Sequence, residues 1–395
     1  MTGASDESYL TTAEVARRLG VKPETVYAYV SRGLLTSVRA RGRRGSLFAA
    51  RDIDRLAERG GESSGMVERI QTDLTLLTGD QLYYRGHLVS ELATTRTVES
   101  VAQLLWTGEL NDQPGFPAPE QLVALARSAV AVAPATARLT DQLRIAVAVL
   151  GAADPLRFDL APEAVMRVAG QLLGVLVGAL PDDGSTGSSG GTLGGRLWPK
   201  LSQAPARPEL LDATLILMAD HGLAVSTVAA RVAASARANL YAVVSAGLGA
   251  LDGQYHGAAS TRAYRFLGEA LQDPVGALSE RLRAGDRIPG FGHRVYKRHD
   301  PRAEVLFGLL RDEPVMRVVE AVSAELADRL FPNVDLAMAA LMHACDLRPD
   351  AGEALFALAR TIGWTAHALE EYAEPGLRFR ALGVYTGESP GPLVV

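Results

Sequence analysis

Three of the chain's seven histidines lie in glycine-bearing breaks between apolar segments: His221 in ADHGLAVSTVAARV, His256 in LDGQYHGAAS and His293 in GFGHRVYKRHDPR. A lone histidine at a helix end is most often a structural hydrogen-bonding group. Three in similar breaks point instead to chemistry near neutral pH, where an imidazole can give or take a proton. The flanking glycines let a ligand approach the backbone, and loops held by a rigid scaffold are where reacting groups usually sit. The stretch around His293 also gathers Arg294, Lys297, Arg298, His299 and Arg302, in a chain whose formal net charge is −5. Like charges this close are expected either to face something anionic or to form a solvated run. Metal ligation fits less well, because no site has His-x-x-x-His spacing and Cys345 is the single cysteine. No metal is expected.

The elements that must hold these groups read as helices. TVESVAQLLWTGEL, PEAVMRVAGQLLGVLVGAL, ARANLYAVVSAGLGAL, VDLAMAALMHACD and GEALFALARTIGWTAHALEEYA all repeat apolar residues with a period near 3.6. Strand signals are confined mainly to IQTDLTLLTGDQLYYRG. Helices apolar over more than half their surface must pack on several sides, which predicts a multilayer helical core, shared between subunits. The tract DDGSTGSSGGTLGG at 182–195 is expected to be a mobile loop. Apolar runs stop short of the roughly 20 residues needed to span a bilayer. With one cysteine and no leader-like N-terminal run, a reducing cytoplasm is the expected location.

GFGHRVYKRHDPRAE resembles the signature of the citrate synthase family, and the family's other motifs follow in order from about residue 67 to 388. TGDQLYYRGHLVSELATTRTVESVAQLLWTGEL is similar to its N-terminal region, ADHGLAVSTVAARV and LDGQYHGAAS to its central histidine motifs, FPNVDLAMAALM to its aspartate motif, and ARTIGWTAHALEEY with LRFRALGVYTG to its C-terminal end. The resemblance implies an all-α body with a large domain over 67–259 and 351–395 and a small domain over 260–350, closing on each other in a homodimer or larger assembly. It implies condensation of acetyl-CoA with oxaloacetate to citrate and CoA, an acyl transfer in which the acyl group becomes alkyl, at the entry to the tricarboxylic acid cycle. Asp335 would be the base that takes a proton from the thioester's methyl group. His256 would donate a hydrogen bond to the thioester oxygen and His293 to the ketone oxygen. Arg302, Arg360, Arg378 and His221 would bind the oxaloacetate carboxylates, Arg378 reaching from the second subunit. Lys297 and Arg298 would face the CoA phosphates, Arg294 and His299 being either further contacts or solvated. No cofactor is implied beyond the CoA thioester that is itself a substrate.

The chain departs from the family's usual pattern. Gln254, Tyr255, Ala258 and Ser260 replace commoner residues around His256, Gly222 and Ala224 follow His221, and Phe379 stands where proline is usual. A drifted acyl preference is therefore an alternative, with 2-methylcitrate synthesis from propionyl-CoA the nearest chemistry.

The first 59 residues read as a separate head, followed by a Gly/Ser linker over 60–66. Thr11 or Thr12 opens one helix, Gly20 ends it, and Pro23 opens a second. Helix, tight turn and helix can set one helix into a DNA major groove, and the run of arginines that follows suits phosphates. The segment resembles winged helix-turn-helix domains of the excisionase and mercury-regulator type, with RARGRRGSLF as the wing. The resemblance and the basic run make Lys22, Thr25, Tyr27, Arg32, Arg41, Arg43 and Arg44 candidate double-stranded DNA contacts. A second class of function follows from the fusion: a transcriptional regulator whose synthase-like body senses a metabolite. A third is a head that serves only assembly.

Overall fold

The computed structural model describes residues 9–19, 21–31, 35–38, 46–50, 52–53, 70–182, 191–327 and 329–379. Residues 1–70 together with those from 377 onward group as one compact unit, and residues 71–376 as another. The described residues 377–379 fall in the first unit; residues 380–395, expected with the large domain, lie outside the described residues.

In the head, β1 (Tyr9–Thr11) pairs antiparallel with β2 (Leu47–Ala49), and α1 (Thr12–Leu19) and α2 (Pro23–Ser31) lie between them in sequence. Thr11 and Glu14 form a reciprocal cap: the Thr11 hydroxyl accepts the Glu14 N–H, and the Glu14 carboxylate accepts the Thr11 N–H and O–H. Val15, Ala16, Val26, Leu35, Phe48 and Ile53 make the small core.

Residues 71–376 begin with an antiparallel three-stranded sheet, β3 (Thr75–Thr78), β4 (Gln81–Tyr84) and β5 (His87–Leu88). Among the described residues, the elements that follow it are helices, with one isolated antiparallel bridge between Phe291 and Pro332. First come α3 (Val89–Thr95), α4 (Val98–Thr107), α5 (Glu120–Val130), α6 (Leu139–Ala153), α7 (Pro162–Ala179), α8 (Leu193–Leu201), α9 (Pro208–Met218), α10 (Val225–Ser235) and α11 (Leu240–Leu251). Then follow α12 (Ala258–Ala270), α13 (Pro274–Ala284), α14 (Pro301–Leu309), α15 (Val315–Leu326), α16 (Val334–Ala344) and α17 (Ala351–Ala373). Helix α17 is buried along most of its length because α4, α7, α9, α10 and α11 pack around it, and its sequence is mostly apolar, with a buried polar row that includes Glu353, Arg360, His367 and Glu371. Helices α12–α16 pack chiefly on one another. No helix among the described residues is long and apolar enough to cross a membrane.

The tract expected as a loop over 182–195 is not loop to its end. Residues 183–190 lie outside the description, but Leu193, Gly194 and Gly195 are buried in the first turn of α8. Thr192 caps that turn by accepting the Gly195 N–H, and the Asp212 carboxylate accepts the Gly194 N–H. Composition concealed a capped helix start.

Candidate active site

Two helix N-termini build the base of the site. Asp300 caps α14, with Pro301 in the first turn and Arg302 next. Asp300 Oδ1 accepts the Arg302 backbone N–H (3.1 Å) and Nε–H (3.0 Å), while Oδ2 accepts Arg302 Nη2–H (2.8 Å). The same Oδ2 accepts the Val334 N–H at 3.0 Å, the first residue of α16. One buried carboxylate thus orients a buried guanidinium and fixes the helix that carries Asp335. Burial works against the Asp300 charge, but the Arg302 guanidinium overcomes it and holds the carboxyl below its ordinary range.

Asn333 caps α16 by accepting the N–H groups of Asp335 (2.9 Å) and Leu336 (3.4 Å). Its side-chain amide donates to the Gly292 carbonyl (2.7 Å), its own N–H donates to the Gly290 carbonyl, and the Gly292 N–H donates to Phe331. The loop that presents His293 is therefore laced to the segment that presents Asp335. Gly290 and Gly292 sit at φ +82° and +72°, left-handed backbone that side chains resist.

Three rings stand together here. His293 Nδ1 accepts the N–H groups of Val295 (3.0 Å) and Tyr296 (3.2 Å), so in the neutral ring the proton is on Nε2, on the side of Arg302 Nη2 at 3.5 Å. His221 Nε2 lies 3.0 Å from the Tyr296 hydroxyl, and the His221 and His293 rings meet edge to face with centroids 5.2 Å apart. His221 follows Asp220, whose buried carboxylate accepts from Thr75 Oγ1 (2.6 Å) and the Gly222 N–H (2.9 Å). The Tyr84 hydroxyl accepts the Asp220 N–H, so β3 and β4 hold the turn that carries His221.

His256 belongs to a neighbouring cluster. Its Nε2 is 2.7 Å from Ser226 Oγ on α10, and its ring meets Phe356 of α17 edge to face. The other side of this contact is Arg360, whose guanidinium stands 4.7 Å from the Phe356 centroid. Arg360 is buried and donates through Nε to the Met218 carbonyl, but its Nη1 has no hydrogen-bond partner among the described residues. A buried guanidinium with an unused donor can take up an anion.

The electrostatics are those of a largely buried, basic cluster. Burial, reinforced by Arg360, pushes His256 down to about 4. Burial and then Arg302 push His293 to about 4, and the same causes together with Arg360 take His221 well below its usual value. All three rings are neutral at pH 7. Burial raises Asp335 to about 6, only partly opposed by Arg302, even though the first turn of a helix favours an anion. The Asp335 carboxylate takes no hydrogen bond among the described residues, so it is free to accept a proton from a ligand. A neutral-pH base beside neutral donors and guanidinium groups suits enolisation of a carbon acid next to an anionic electrophile.

The structure therefore brings His221, His293 and Arg302 together and couples Arg360 to both clusters. His256, His293 and Asp335 share no direct hydrogen bond among the described residues. Lys297 and Arg298 lie on the rim. The Asp80 carboxylate, at the tip of the β3–β4 turn, accepts both their backbone N–H groups and pairs with the Arg298 guanidinium at 3.2 Å. Lys297 Nζ donates to the Arg294 carbonyl, and His299 Nδ1 lies 3.1 Å from a Glu304 carboxylate oxygen. Arg378 groups with the head unit, where its guanidinium stands 5.7 Å from the Phe379 centroid. In the head, Lys22 and Tyr27 are exposed and Thr25 is half-buried, while Arg32, Arg41, Arg43 and Arg44 lie outside the described residues.

Sequence reasoning missed Asp300, Tyr296, Ser226 and Asp80 as members of the site. Only Asp300 carried a local signal, an aspartate before proline at a helix start.

Comparison with known proteins agrees with this geometry. Residues 65–380 match the family model for the citrate synthase C-terminal domain, and residues 9–61 match a helix-turn-helix domain. A citrate synthase of Acidithiobacillus ferridurans is 30% identical over 354 residues, covering 78% of this chain and 89% of that protein. A 2-methylcitrate synthase of Mycobacterium tuberculosis is 30% identical over 338 residues, covering 78% and 85%. The crystal structure of citrate synthase from Thermotoga maritima superposes with a TM-score of 0.67 at 26% identity, covering 84% of this chain and 97% of that one. With a family model spanning most of its length and the matching helical architecture, the chain belongs to the citrate synthase family.

Proposed function

We propose that the chain condenses acetyl-CoA with oxaloacetate to give citrate and CoA, entering the tricarboxylic acid cycle in the cytoplasm. The observation that carries this reading is the pairing of Asp335, held near pH 6, with a pocket of buried guanidinium groups and neutral histidines. Oxaloacetate's carboxylates suit Arg302, the unpartnered Nη1 of Arg360, and His221. Asp335 removes the proton from the acyl carbon, and His256 donates to the thioester oxygen as the enolate forms. This role requires the Ser226 hydroxyl, 2.7 Å from Nε2, to donate, which leaves the His256 proton on Nδ1 for that bond. The enolate carbon attacks the ketone carbon while His293 Nε2–H supports the oxygen that gains charge. Water then cleaves the thioester and releases CoA.

Lys297 and Arg298 are the proposed contacts for CoA phosphates, Arg298 exchanging its Asp80 partner for phosphate. A small domain over 260–350 closing on the rest would exclude water during enolisation. Exposed Leu223, Val225 and Val232 on and beside α10 support a homodimer, in which Arg378 of a second copy would complete the carboxylate site.

Thiol release from acetyl-CoA and from propionyl-CoA with oxaloacetate, measured beside Asp335→Ala, tests the reading. Release lost in the variant upholds it, and the ratio of the two rates decides between citrate and 2-methylcitrate; the equal identity to the 2-methylcitrate synthase keeps that alternative open. No release from a folded protein would favour a DNA-binding regulator with a metabolite-sensing body. The helix-turn-helix match and the exposed Tyr27 support DNA binding by the head in either case. Duplex affinity that falls steeply with salt, and falls again in Lys22→Ala, is the expected result; salt-independent behaviour would leave the head an assembly device.

A further inference from the structure

Tyr296 has no role in the reaction outlined above, yet it touches more of the proposed oxo-acid site than any residue given one. Its side chain is 2% exposed. Its backbone N–H donates to His293 Nδ1, its hydroxyl lies 3.0 Å from His221 Nε2, and the Arg302 guanidinium stands 5.4 Å from its ring centroid. The ring itself packs against both histidines, with centroids 4.8 Å from His293 and 5.4 Å from His221.

The Tyr296–His221 hydrogen bond is where one ring proton is placed. His221 is neutral and has one ring proton, because burial and then Arg302 hold it far below its usual value. Burial likewise keeps the Tyr296 phenol protonated. A phenol that donates to Nε2 places the ring proton on Nδ1, so the hydroxyl selects the tautomer.

We propose that Tyr296 is a positioning residue for the 2-oxo acid: its backbone N–H sets the proton of His293 on Nε2, and its hydroxyl sets the tautomer and ring angle of His221. It acts through the two histidines and not on the reacting carbon. The reading rests on the proposed oxaloacetate site. Phenylalanine keeps the ring, the stacking and the backbone bond and removes only the hydroxyl. His221 Nε2 is then left buried without its donor, a loss of the size that weakens binding by about tenfold.

The test is Tyr296→Phe, His221→Gln and the double variant, each measured for oxaloacetate affinity by titration calorimetry and for KM of each substrate. The expected result is a rise of about tenfold in both Kd and KM for oxaloacetate, with the acyl-CoA KM within about twofold and kcat within about threefold. In the His221→Gln background the Tyr296→Phe effect should shrink to about twofold or less, since the two residues act as one unit. Unchanged oxaloacetate affinity in Tyr296→Phe, equal weakening for both substrates, or full additivity in the double variant would each overturn the proposal. Direct binding separates this from the reaction: a wild-type chain that binds oxaloacetate without turnover defeats the synthase reading while Tyr296 is still judged by Kd. A wild-type chain that binds none defeats both.

Discussion

Replacing Asp335 with asparagine should abolish turnover and make the protein more stable. The carboxyl's ordinary value of 3.8 is raised to about 6 in the fold, chiefly by burial. Taken at face value that rise is worth about 3 kcal/mol against the folded, ionised state. Asp335 keeps part of its surface exposed, which reduces this, so a gain of about 1–3 kcal/mol is expected for Asp335→Asn. The sign follows from linkage. Above pH 6 the carboxylate is ionised in both folded and unfolded chains and the fold bears the whole penalty, whereas below pH 4 it is protonated in both and the penalty vanishes. Urea denaturation of wild type and variant at pH 8 and at the lowest pH where both stay folded should show a gap that narrows as the pH falls. A variant no more stable than wild type at pH 8, or a gap independent of pH, would refute the claim that burial is what raises Asp335. Retained thiol release would refute its assignment as the base.

The same group should set the acid limb of the rate profile. With His256 and His293 pushed down to about 4 and His221 pushed down as well, kcat/KM should fall about tenfold per pH unit below roughly pH 6, and a limb centred near pH 4 would contradict this. Asp300→Ala should destabilise by about 3–5 kcal/mol in urea denaturation, because it leaves Arg302 buried without its partner and frees the start of α16. Gly290→Ala should cost about 2 kcal/mol and lower kcat, since a methyl group there would meet Leu336 Cβ at 2.7 Å in a left-handed turn, beside Asp335; a variant with wild-type melting and rate would show that the turn does not position the base.

How much of this was legible in the sequence divides along a physical line. The helices declared themselves through periodicity, whereas caps such as Thr97, Asn239 and Asn333 came from the structure. The site histidines could be singled out because the chain has seven and three of them lie in glycine-bearing breaks; Asp335, Arg302, Arg360 and Arg378 were assigned roles only through the family resemblance. What could not be read was pairing across long separations. Asp80 accepts from Lys297 and Arg298, and Ser226 meets His256, through contacts between elements far apart in the chain. The basic cluster around His293 is the clearest case. Sequence presents it as a single run of cations that either faces anions or is solvated, and the fold divides it: Arg302 is buried against Asp300, Arg298 is held at the surface by Asp80, and Lys297 is turned toward a backbone carbonyl. With Arg302 and Arg298 each paired to a carboxylate, repulsion within the run is relieved before any ligand arrives. Arg302 is thus oriented by Asp300 through Nε and Nη2, while Arg360 Nη1 has no hydrogen-bond partner among the described residues. On the proposed reading the oxo acid would meet one guanidinium whose geometry folding has set and another with a donor to spare.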